Sequence, residues 1–196
     1  MVIGLTGGVA CGKSRAAGLL AEMGCFCLDT DRIAGQLLSD HTGVREALQK
    51  RWGDSVLDDR GIPDKKRVAQ KAFASESEVR FLENLLHPLV LAHWQRQARE
   101  VEGVPVVVEV PLLFEANWES FFTITVTIAA APEVVQERLM GRPGTPEEWR
   151  QRMERQWPLE KKMEAADLVI LNNAGETFLR EQLEWLLTCL AFSPKS

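Results

Sequence analysis

The stretch GLTGGVACGKSRAAGLL, residues 4–20, decides how the rest of the chain is read. Four glycines fall in the nine positions Gly4 to Gly12. Glycine loses more backbone freedom on ordering than any other residue, so such a cluster needs a local cause. The apolar run MVIGL before it has the character of a short strand. After Lys13-Ser14, apolar residues recur at Ala16, Ala17, Leu19, Leu20 and Met23, the spacing of a helix face, and Gly24 ends it. The cluster therefore joins a strand to the first turn of a helix.

Gly7 to Ser14 fits G-x-x-x-x-G-K-[ST]. Small residues let successive backbone N–H groups converge on phosphate oxygens, and the helix adds the positive end of its dipole. Lys13 is placed to reach the β- and γ-phosphates of ATP, and the Ser14 hydroxyl to ligand Mg²⁺. The nucleotide-binding set expected here is Gly8, Val9, Ala10, Cys11, Gly12, Lys13, Ser14 and Arg15. A tight glycine turn with a surface lysine would explain the glycines but leave Lys-Ser unexplained. The loop alone does not separate ATPases, GTPases, kinases and sensors. No N-K-x-D run favours guanine, and the small size with an inserted helical segment favours a small-molecule kinase.

Outward from the loop, CFCL at 25–28 reads as a second strand and Thr30 as the cap of a helix starting near Asp31. Residues 40–103 carry charged helical patterns without a strand, a turn at RGIP 60–63, and Pro88 placed to bend or break a leucine-rich helix. VPVVVEV at 104–110 and TITVTIA at 123–129 are β-branched runs of the kind buried on both faces of a parallel sheet. PEVVQERLMG, the polar basic segment 142–163, DLVIL at 167–171 and the amphipathic stretch Glu176 to Leu190 complete the alternation. It predicts an α/β fold: a P-loop-type parallel sheet flanked by helices, with an inserted helical subdomain and a small helical lid. The expected organisation is a single domain of core (1–31, 104–137, 164–196), helical acceptor-binding part (32–103) and lid (138–163).

The 196 residues are 45% hydrophobic and 26% charged, with a formal net charge of −5. That composition suits one globular core and disfavours wholesale binding of nucleic acid. No signal peptide and no membrane-spanning run is read, and the scattered Cys11, Cys25, Cys27 and Cys189 fit reduced thiols, so a cytoplasmic protein is expected. Cys11, near a helix N-terminus, is expected to react with alkylating agents unless ATP protects it.

Asp29 and Asp31 follow the second strand, where ligands of parallel sheets bind. Asp31 is the candidate base for an acceptor hydroxyl, and Asp29 is divided between supporting the site and a structural role; the plainer reading is that one of the two caps the next helix. Glu109, at the end of the third strand, can hold a metal through water or orient the acceptor, or serve as a structural carboxylate. A lone His87 is more often packing than chemistry. Arg142 and Arg138 are candidates for neutralising a moving phosphoryl group, with Arg152 and Arg155 nearby. Trp149 and Trp157 are core by default, with adenine stacking as the alternative.

Together these pieces resemble the dephospho-coenzyme A kinase family. The resemblance is carried by GLTGGVACGKS, DTDRIAGQLL, FLENLLHP, VEVPLLFE at 108–115, the Gln136-x-Arg138-x-x-x-Arg142 spacing, Gln156 and ADLVILNNAG at 166–175. It implies phosphorylation of the ribose 3′-hydroxyl of dephospho-CoA by ATP with Mg²⁺. It implies Asp31 as base, His87, Glu109, Leu112 and Lys65 on the substrate side, lid arginines over ATP, and Asn172 near the adenine. It implies a monomer, with a trimer as the alternative. The sequence departs from the family pattern at Ala10 (usually glycine), Cys11 (serine), Arg15 (threonine), Gly35 and Lys65 (arginine) and Glu109 (aspartate). Two readings stand beside this one: a related nucleoside or nucleotide kinase, and a non-catalytic nucleotide-binding protein.

Overall fold

The computed structural model describes residues 1–192. The chain folds as two compact units: Met1–Leu28 together with the chain from Val101 onward, and Asp29–Glu100.

The first unit is built on a five-stranded sheet in the order β2-β3-β1-β4-β5. The strands are β1 Val2–Gly7, β2 Phe26–Asp29, β3 Val106–Glu109, β4 Ile124–Ala129 and β5 Leu168–Leu171. β1 pairs parallel with β3 and β4, and β4 parallel with β5. All four residues of β3 are buried, the condition its β-branched run requires. The helices are α1 Lys13–Glu22, α6 Pro132–Met140, α7 Pro146–Glu154, α8 Leu159–Ala165 and α9 Glu176–Phe192. Leu19 and Leu20 of α1 and Leu179, Leu183 and Leu186 of α9 join Ile3, Leu5, Val107, Val126 and Ile128 of the sheet in one buried cluster.

β1 lies between β3 and β4, so successive connections leave it in opposite directions. Such a reversal opens a crevice at the carboxyl ends of the strands. The glycine-rich loop follows β1 there, Glu109 ends β3 as the register partner of Leu5, and Asn172 follows β5.

The second unit comprises α2 Thr30–Asp40, α3 Thr42–Trp52, α4 Lys65–Ala72 and α5 Glu76–Glu100. Val44, Leu48, Val56, Val68 and Leu86 form its centre. The expected turn at 60–63 is present, closed by a bridge between Leu57 and Pro63. Two local expectations are corrected. The cap of α2 is Asp29, whose carboxylate accepts the N–H groups of Asp31 and Arg32, while Thr30 is already helical. A carboxylate at this position also meets the positive end of the helix dipole. Pro88 does not end its helix: α5 continues to Glu100. Pro88 and Asn84, whose carbonyl lacks its N–H donor, both lie on the exposed face, so the helix can continue past the proline without burying an unpaired group.

Candidate active site

Gly7 has φ 147, and a Cβ there would lie 2.2 Å from the Ile128 carbonyl oxygen. Gly12 has φ 98, and a Cβ there would lie 2.1 Å from Asn172 Nδ2. At both positions only glycine permits the backbone and the close approach. Between them Ala10 adopts φ 59, a left-handed conformation that an L-residue rarely takes.

The loop is held from outside by two side chains. Arg138, on α6, donates to the carbonyls of Ala10 (3.3 Å), Cys11 (3.2 Å) and Asn172 (2.9 Å). Asn172, 5% exposed, donates from Nδ2 to the Cys11 carbonyl at 2.8 Å, and its own N–H bonds Ala129. With the carbonyls of Ala10 and Cys11 taken by Arg138 and Asn172, they do not compete for an anion that loop N–H groups would bind. Within the loop, Lys13 Nζ donates to the carbonyls of Gly7 and Gly8, each at 2.9 Å.

Ser14 Oγ donates to Glu109 Oε1 at 2.9 Å across 95 residues of sequence. Glu109 is 7% exposed, so a buried carboxylate and a hydroxyl meet beside the loop. The other loop residues have different surroundings. Arg15 pairs with Glu176 and Glu22 on the exposed surface. Gly8 and Val9 are half-buried. Cys11 is only 1% exposed, which corrects the expectation of a readily alkylated thiol: a reagent cannot reach the sulfur without opening the loop.

In the segment after α6, Arg142 is exposed, and Arg152 lies over the Trp149 ring with 4.8 Å to its centroid. Trp157 stacks on Phe114 at 5.9 Å and carries Lys161 Nζ 3.4 Å from its centroid. Both tryptophans are thus engaged by neighbours in the chain. Leu112 is half-buried in the turn after β3.

Of the residues expected on the acceptor side, Asp31, His87 and Lys65 occupy the second unit, whereas Glu109 and Leu112 belong to the first. Asp31 is exposed in the first turn of α2. His87 is half-buried on α5; burial holds its imidazole below the usual histidine range, and Glu83 offsets part of that. Lys65 begins α4, and its ammonium fills the space beside Gly35, where a Cβ would lie 2.8 Å from Nζ. The two departures from the family pattern are therefore neighbours.

Sequence reading missed several supports. Asp167 Oδ2 accepts the N–H and hydroxyl of Thr125, each at 2.7 Å, tying the start of β5 to β4. Asn173 Oδ1 accepts the Ala131 N–H at 2.7 Å. Lys162 is wholly buried against Glu115. Its place in register with Leu159, Met163 and Ala166 was the available signal, because a lysine on an apolar stripe points inward.

Comparison with known proteins places the chain in a family. The family model described as Dephospho-CoA kinase matches residues 1–177. A dephospho-CoA kinase from Synechococcus sp. (strain JA-2-3B'a(2-13)) is 33% identical, with the match covering 98% of this chain and 94% of that one. Among solved structures, TT1252 from Thermus thermophilus superposes with a TM-score of 0.84 at 31% identity, covering 97% of each chain. The dephospho-CoA kinase from Campylobacter jejuni shares the fold, with a TM-score of 0.71 at 23% identity over 96% of each chain. With the loop, its two carbonyl clamps and the Ser14–Glu109 pair in place, the match across nine-tenths of its length makes this chain a member of the dephospho-CoA kinase family.

Proposed function

We propose that this chain, an ATP-dependent kinase by its family, transfers the γ-phosphoryl group of ATP to the ribose 3′-hydroxyl of dephospho-CoA, giving CoA and ADP. The observation that carries the reading is the Ser14–Glu109 contact at 2.9 Å beside the glycine-rich loop. A structural turn has no need of a buried carboxylate aimed at its serine. A phosphoryl-transfer site does, because hydroxyl and carboxylate oxygens suit the hard Mg²⁺ ion, which takes one or two protein oxygens with water and phosphate. Ser14 directly, and Glu109 through water, would hold that ion. Bound there, it would neutralise charge on the β- and γ-phosphates.

The remaining roles belong to the chain. Backbone N–H groups of residues 8–14 bind the phosphates, and Lys13 exchanges its carbonyl partners for phosphate oxygens. Asp31 orients the acceptor hydroxyl and takes its proton. Arg142 closes over the transferring group and shuts out water. His87, Lys65 and Leu112 contribute to acceptor binding. The test is Asp31→Asn, which keeps size and removes basicity. It is expected to lower kcat roughly 10²- to 10⁴-fold, the range for loss of a general base, with ATP affinity unchanged. A kcat within threefold of the parent would remove Asp31 from the mechanism.

A further inference from the structure

α8 carries a lysine whose side chain reaches no solvent: Lys162 is 0% exposed. Its Nζ donates to the Pro111 carbonyl at 2.6 Å and pairs with Glu115 Oε1 at 3.0 Å. The same carboxylate oxygen accepts the Trp157 N–H at 2.6 Å. The Lys162 carbonyl accepts the Thr127 hydroxyl at 3.1 Å, fixing α8 to β4. One turn earlier, Leu159 packs against the glycine-rich loop, with its Cδ1 3.6 Å from where a Gly8 Cβ would lie.

Burying an ammonium and a carboxylate costs several kcal/mol of hydration, and well-packed apolar residues often serve stability as well or better. What apolar residues cannot do is hold two acceptors in fixed directions. The acceptors held here matter. Pro111 lies two residues beyond Glu109, and its carbonyl also takes the Thr6 hydroxyl at 3.4 Å. Glu115 closes the same turn. Trp157 lies in the segment that begins at Arg142, between α7 and α8. α8 thus touches the phosphate loop, the exit of the strand bearing Glu109, and the root of the arginine segment.

We propose that Lys162, through Glu115, is a positioning residue for phosphoryl transfer. It sets the turn after β3, so that Glu109 meets Ser14, and fixes Trp157, so that closure of the preceding segment brings Arg142 to one place. This rests on the kinase reading given above. Neither Lys162 nor Glu115 contacts the reacting atoms.

The double variant Lys162→Met/Glu115→Gln tests it, because it leaves no unpaired buried charge. Its melting temperature is expected within about 3 °C of the parent, since one kcal/mol shifts a chain of this size by about 2–4 °C. Its kcat is expected at least tenfold lower, with KM for ATP changed less than threefold. The gain in ADP affinity on adding Mg²⁺, measured calorimetrically, is expected to shrink as well. A folded double variant with the parent's kcat and the parent's Mg²⁺ gain would overturn the proposal. If the double variant does not fold, Glu115→Asp serves, since the shortened carboxylate cannot reach both Lys162 and Trp157. The same loss of kcat is expected, and parental kcat would overturn the proposal equally. Should the parent phosphorylate no acceptor, the kinase reading fails by that result, and the Mg²⁺ gain still decides the role of Lys162.

Discussion

Ala10 is the residue at which sequence and backbone disagree. Its φ of 59 is a conformation that costs an L-residue roughly 1 kcal/mol. The loop accepts the cost because Arg138 takes the Ala10 carbonyl and Asn172 the next one. Ala10→Gly removes the strain while adding freedom to the unfolded chain, which offsets part of the gain. The net expectation is a rise in melting temperature of about 1–3 °C with unchanged ATP affinity, measurable by scanning calorimetry and titration. A fall in melting temperature would mean that the loop does not carry this strain. His87 is a second case. Its folded-state pKa is depressed by burial, so the folded chain binds fewer protons than the unfolded chain as pH falls below about 6.5. Stability is therefore fully present above that pH and declines as pH falls from it toward the folded value. His87→Gln is expected to flatten this part of the urea-melting profile between pH 7 and 5. An unchanged slope would assign the pH dependence to other groups.

At the scale of elements, α2 and α4 meet where Gly35 receives the Lys65 ammonium. Glycine inside a helix costs about 0.5–1 kcal/mol relative to alanine. Here it makes room for a charge. Gly35→Ala is expected to raise the melting temperature by about 2 °C, because the displaced atom is the end of a flexible side chain. It should also raise the KM for the acceptor severalfold by moving that charge. In a Lys65→Met background the KM effect should vanish, since the two residues act as one unit. Additive effects in the double-mutant cycle would show that Lys65 and Gly35 serve the acceptor separately. The same two helices explain why restoring an arginine at position 35 alone is a poor experiment: its stem would enter the space Lys65 fills.

Across the whole molecule, the parts legible in the sequence are those whose pattern and environment agree. The β-branched runs gave the buried strands, and the loop motif placed a phosphate cradle between β1 and α1. The less legible parts depend on long-range geometry. Nothing near Asp29 distinguishes it from Thr30 as a cap until the backbone places the carboxylate over two N–H groups. Pro88 reads as a breaker because the sequence does not show that Asn84 and Pro88 face water. Lys162 stands on an apolar stripe, but the sequence does not show what it pairs with, because Pro111 and Glu115 lie about fifty residues away. Arg138 reads as a cation for the moving phosphoryl group, and that its guanidinium bonds backbone carbonyls of the loop and of Asn172 is visible only in the fold. In each case the residue type was visible and its partner was not.

The most direct test of the central claim is an ADP-release assay with Mg²⁺ and ATP, comparing dephospho-CoA, adenosine, AMP and no acceptor, with the product identified by mass and its phosphate position by ³¹P NMR. The account predicts release that depends on dephospho-CoA and a single product phosphorylated at the ribose 3′-hydroxyl. Equal release with adenosine or AMP, or nucleotide binding without acceptor-dependent ADP, would contradict it.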